Sequence, residues 1–121
     1  MLEEQITGLD DLPYRTVKDV PASLIQEIFD LWVSIHRNSG RGRSPVLSEK
    51  RSRLIAKGVV SHGAAACREA IQGCALSDWH MGKNPSGKRY DDIELILRDA
   101  QKIEKFSDLW LENQSGGGFL D

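Results

Sequence analysis

The stretch Pro21-Ala22-Ser23-Leu24-Ile25-Gln26-Glu27-Ile28-Phe29-Asp30-Leu31-Trp32-Val33-Ser34-Ile35-His36 decides the fold class. Leu24, Ile25, Ile28, Phe29, Leu31, Trp32 and Ile35 repeat with helical period, so one face is continuously apolar and needs other elements to cover it. Pro21 suits a first helical turn, and Ser23 with Gln26 has the spacing of a capping box. A helix is predicted over 21–36.

Toward the C-terminus, Asn38-Ser39-Gly40-Arg41-Gly42-Arg43-Ser44-Pro45 reads as a flexible basic loop. Ser48 can cap a second helix that carries Lys50, Arg51, Arg53 and Lys57, turns Leu54 and Ile55 inward and stops at Gly58. A third helix is expected from Ser61 or His62 through Ala64, Ala65, Ala66, Cys67, Ala70, Ile71 and Cys74, with Gly73 weakening its end. Its small side chains would let a neighbouring helix come close. Asp91 or Asp92 then caps a last, long helix whose stripe is Ile93, Ile96, Leu97, Ala100, Ile103, Phe106 and Trp110. No strand pattern intervenes. The expected architecture is all-α, a compact bundle of about four helices with a Gly/Pro-rich basic loop before the last one. Residues 1–20 read as an irregular acidic arm, 21–112 as the helical domain and 113–121 as a flexible tail. That tail, a glycine spacer ending in Phe119-Leu120-Asp121, is either a frayed end or a short docking peptide.

A chain of 121 residues, 40% hydrophobic and 28% charged, is sized for one domain with one modest core. No window approaches the roughly 18 consecutive apolar residues that span a bilayer, and Met1-Leu2-Glu3-Glu4 is unlike a signal-peptide start. A cytoplasmic protein with no membrane partner is expected. Cys67 and Cys74 lie two helical turns apart, about 10 Å along the axis, too far for a disulfide between them; buried reduced thiols are the simpler reading. The net charge of −2 hides a strong polarity. Residues 1–30 hold seven acids and two bases and 91–121 eight and three, whereas 31–57 hold one acid and seven bases. A basic centre between acidic ends suits a nucleic-acid face, or else a merely solvated charged surface.

Catalytic chemistry finds little footing. Gly82-Lys83-Asn84-Pro85-Ser86-Gly87-Lys88 fits the first seven positions of a phosphate-binding P-loop, but Arg89 stands where the magnesium-binding Ser or Thr belongs and no strand leads in. The loop could still meet phosphates through its backbone and lysines. His36, His62 and His80 are on separate segments without metal-ligand spacing. A nucleophile triad has no support, and Asp91-Asp92 reads as a helix cap. No catalytic residue, metal or cofactor is expected. Two basic clusters remain, Arg41, Arg43, Lys50, Arg51, Arg53 and Lys57, and then Lys83, Lys88 and Arg89 beside Trp79, His80 and Tyr90. Cations that neutralise phosphates next to rings that stack on bases are what a single-strand binder needs, unless Trp79 and Tyr90 simply pin the loop to the core.

The order Phe29-x-x-Trp32-x-x-x-His36, Leu47-Ser48-x-Lys50-Arg51-x-x-x-Ile55, Ala70-Ile71-x-Gly73, Ser77-x-Trp79-His80-Met81-Gly82-x-Asn84-Pro85-x-Gly87-x-x-Tyr90, Ile96-Leu97-Arg98 and Ile103-Glu104-x-Phe106 resembles the C-terminal module of bacteriophage replisome organisers. It is similar, more loosely, to the DnaT and DnaD primosomal proteins. Roughly residues 25–110 carry the resemblance, most specifically Trp79–Tyr90. It implies a helical module that binds single-stranded DNA and contacts the replicative helicase or its loader. Relatives of that kind usually add an N-terminal winged-helix or origin-binding domain, where this chain has the acidic arm. An accessory replication role is therefore the leading expectation, and a protein-only factor that modulates a host enzyme is the alternative.

Overall fold

The computed structural model describes residues 12–37 and 43–115. Among these the chain is all-α, with four helices: α1 (Ala22–His36), α2 (Glu49–Cys74), α3 (Ile93–Ile96) and α4 (Ala100–Ser115). A 3-10 turn, Val17–Asp19, precedes α1. No described helix is long and apolar enough to cross a membrane.

The helix α1 starts one residue inside the predicted span, and its stripe behaves as the period requires: Ile25, Ile28, Phe29 and Trp32 are buried in the core. Burying each such side chain is worth roughly 1.5–3 kcal/mol. The predicted capping box does not form, because Pro21 occupies the N-cap and no side-chain cap bond is made. Part of the expected arm joins the domain. The Thr16 amide and hydroxyl both donate to Asp19 Oδ2, at 3.0 and 3.1 Å, and Val20 is buried with Tyr14 and Val17 packed against the core.

Two predicted helix boundaries move. Ser48 does cap, accepting from the Arg51 amide at 3.2 Å, but the helix runs past Gly58 and bends instead at Gly63, where φ 89° and ψ 156° leave helical space. Only glycine takes that conformation readily. The bend is sharp. A Cβ on Gly58 would lie 3.0 Å from Cys67 Sγ, although residues nine apart on a straight helix are separated by about 13 Å along the axis. Gly58 therefore forms the inside of the elbow rather than a stop. The single long last helix is likewise interrupted at Leu97-Arg98-Asp99, because Asp99 Oδ1 accepts from the Lys102 amide at 3.0 Å and starts α4 afresh. Its C-terminal end extends to Ser115.

The helices α2 and α4 form the most extensive contact in the molecule. They meet closely at Gly73, where an added Cβ would sit 1.8 Å from Phe106 O and 3.2 Å from Trp110 N. Two backbones touch there, so the glycine is a packing requirement and not merely a weak helix end. Gly73→Ala is expected to destabilise the protein by about 3 kcal/mol or more, the upper end of overpacking costs. A surface control such as Ala65→Gly should cost only about 1 kcal/mol. Denaturant unfolding followed by circular dichroism measures both.

Candidate functional site

The end of α1 and the irregular segment before α3 converge on one carboxylate. Asp91 is 2% exposed. Its Oδ2 accepts from His36 Nδ1 at 2.9 Å, Arg37 at 3.0 Å and Arg89 at 2.5 Å. The other ring nitrogen of His36 meets Ile71 O at 2.8 Å, so His36 faces an oxygen acceptor on each side. The Asp91 carbonyl takes the Trp32 indole N–H at 2.9 Å. Burial alone would push the Asp91 carboxyl up, but the hydrogen bonds from His36, Arg89 and Arg37 outweigh it and hold the group well below the ordinary carboxylate range. Asp91 is thus a buried anchor, not the helix cap expected. Asp92 stands at the N-cap of α3 without a side-chain cap bond and pairs with Arg37 at 2.6 Å.

This network absorbs two residues expected to contact nucleic acid. Arg89 binds Asp91 and also donates to His36 O at 3.1 Å. Arg51 donates to Val46 O at 2.9 Å, pairs with Glu94 at 3.5 Å and lies 5.3 Å from the Trp32 ring, which Arg37 approaches at 4.7 Å. Both guanidiniums are engaged within the fold, although the Arg89 side chain remains 46% exposed. His80 is also displaced from the surface. It is 8% exposed, hydrogen-bonded to Ser77 at 2.7 Å and packed edge-on against Phe106 with centroids 4.9 Å apart. Burial, then Lys105 and Lys102, lower its pKa.

The rest of the loop presents an aromatic surface. Trp79 is 51% exposed and stacks on Tyr90, centroids 5.0 Å apart and planes at 17°, with Lys88 Nζ 5.5 Å from the tyrosine ring. Asn84 organises the turn between them by donating to Trp79 O at 2.7 Å and Lys88 O at 2.8 Å. Gly82 and Gly87 supply the positive φ, 109° and 70°. The amides of Ser86, Gly87 and Lys88 are used within the loop, by Asn84 Oδ1, Asn84 O and Ser86 Oγ. These three amides are therefore not offered to a phosphate, and the lysine side chains carry the charge the segment presents. Lys83 is exposed, with Asp78 3.9 Å away.

Of the first basic cluster, Arg43, Lys50, Arg53 and Lys57 are exposed, and Arg41 lies outside the described residues. Arg53 pairs with Glu49 at 3.2 Å and Lys50 with Glu94 at 4.0 Å, contacts of little strength between solvated chains. Arg98 joins Lys50, Arg53 and Lys57 around one groove, although it lies outside both basic clusters of the sequence. A hydrogen-bonded row also forms at the α2 elbow, Ser61 Oγ to His62 Nδ1 at 2.7 Å and His62 Nε2 to Glu104 at 2.9 Å. Since Glu104 is largely exposed, the row serves as a staple between α2 and α4. Cys67 and Cys74 are free and buried, and burial pushes both thiols up to about 12. Among the described residues no group of three or more His, Cys, Asp and Glu side chains is placed to hold a metal ion. Comparison with family models, with curated proteins and with solved structures returns no match.

Asp91→Asn is expected to lower stability by about 3 kcal/mol at pH 7, because it leaves the Arg37 and Arg89 guanidiniums facing a buried neutral group. The wild-type carboxyl is depressed in the fold, so its contribution is complete above an unfolded pKa of roughly 3.9 and is lost as pH falls through the lower folded value. The gap between variant and wild type should therefore be constant from pH 7 to about 5 and narrow below about 4. Urea unfolding across that range tests it.

Proposed function

We propose that the protein is a single-strand DNA-binding module of the replication machinery, working by stacking and charge without catalysis. The observation that carries the reading is the half-exposed Trp79 held parallel to Tyr90 beside Lys88. A rigid π-face with a cation at its edge accepts any base and so gives affinity without sequence preference. Lys83 adds a second solvated charge to the same loop. The residues that form this surface belong to the segment that most resembles the replisome-organiser module, which supports the DNA assignment and, with it, contact to a replicative helicase or its loader.

The arginines committed to Asp91 and Glu94 reduce the number of cations free for phosphates, and this favours the alternative, a protein-only factor. Salt dependence separates the two. Each phosphate contact on a single strand contributes about −0.7 to the slope of log affinity against log salt.

Oligo-dT should quench the tryptophan fluorescence of the wild type. Trp79→Ala should weaken binding by about 1–3 kcal/mol, roughly tenfold or more, and Lys83→Ala with Lys88→Ala should reduce the salt slope by about 1.4. Thermal stability should change little, since all three side chains are exposed. Unaltered oligo-dT affinity in Trp79→Ala would remove the stacking assignment.

A further inference from the structure

Two hollows flank Leu54, Lys57 and Arg98. One, of about 370 Å³, runs toward Lys50, Arg53 and Glu94. The other, of about 280 Å³, runs toward Gly58, His62 and Ile103. They share those three residues and so lie side by side, as a groove in two parts between the first half of α2 and the α3–α4 junction.

The groove differs in character from the Trp79 loop. Its floor is aliphatic, formed by Leu54, Leu97 and Ile103, and the ring that lines it, His62, is held between Ser61 and Glu104. Its rim carries Lys50, Arg53, Lys57 and Arg98. The acids beside them are shared: Glu94 pairs with Arg51 at 3.5 Å and with Lys50 at 4.0 Å, Asp99 caps α4 through the Lys102 amide at 3.0 Å and lies 3.6 Å from Arg98, and Glu49 meets Arg53 at 3.2 Å, the rim pairs being solvated contacts of little strength. What faces solvent is an aliphatic trough between cations. Aliphatic side chains flanked by carboxylates complement it, which is the chemistry of an amphipathic acidic helix lying in a groove. Electrostatic complementarity of this kind sets partner choice and association rate.

We propose that this groove is the docking site for an acidic amphipathic helix of a partner protein, seated with its leucine-type side chains over Leu54 and its carboxylates against Lys57 and Arg98. The inference deepens the protein-contact half of the reading above and does not depend on the DNA half. It gives the two ligands separate surfaces on one domain, so that both are held at once.

The test uses the full chain and a fluorescein-labelled peptide built only of glutamate and leucine, leucines at i, i+4 and i+7, read by fluorescence anisotropy. Saturable binding is expected, with at least tenfold loss in Lys57→Glu/Arg98→Glu and no change in Trp79→Ala. The glutamine–leucine counterpart should bind at least tenfold more weakly. Lys57→Ala alone, at an exposed side chain, provides a milder variant, expected to weaken binding severalfold with an unchanged unfolding midpoint. Failure of the peptide to saturate, equal binding by the glutamine peptide, or full affinity in the double variant would each overturn the proposal. So would displacement of the peptide by oligo-dT in the Trp79→Ala background, which would assign the groove to nucleic acid. Loss of oligo-dT quenching with intact peptide binding would reject the DNA reading alone.

Discussion

The fold depends on a buried negative charge. Asp91 draws together His36 and Arg37 from the end of α1 and Arg89 from the loop, while its backbone carbonyl holds the Trp32 indole. A carboxylate so nearly sealed from water is tolerable only because hydrogen bonds and cations replace its hydration. That requirement fixes where the segment after Tyr90 runs, and hence where α3 and the aromatic loop are held. The Tyr90 amide donating to His80 O at 2.7 Å closes the loop on itself, so Trp79 is displayed from a rigid base.

A second constraint is steric. Gly58 at the elbow of α2 and Gly73 under α4 are places where side chains are excluded by a neighbour, a sulfur and an aliphatic methyl in one case and a peptide backbone in the other. With Gly63 supplying the bend itself, these glycines let one long helix wrap around α4 rather than pass it in a straight line. The bend brings His62 within reach of Glu104 and opens the groove beside Leu54.

The two surfaces read as functional follow from this frame in different ways. The aromatic face is local, since Asn84, Gly82 and Gly87 build it within a dozen residues, and its composition was legible as a Gly/Pro-rich loop between aromatic ends. The groove is not local. Arg98 joins Lys50, Arg53 and Lys57 only because the last helix breaks at Asp99, and a continuous apolar stripe from Ile93 to Trp110 gave no warning of that break. Periodicity reports which face is buried, and it is indifferent to one turn that a side-chain cap interrupts.

Helical period, turn residues and the cap at Ser48 are written in neighbouring residues, because they depend on contacts a few positions apart; they determined that the protein is helical, where α1 lies and that an irregular loop precedes Tyr90. Which cations remain available to a partner was decided only by the tertiary structure. Arg51 and Arg89 look like Lys50 and Lys88 in a charge count, yet they are spent on Glu94 and Asp91, and Arg37 meets Asp91 from 54 positions away. Charge is a property of the residue, but whether that charge faces water is a property of what the fold brings beside it.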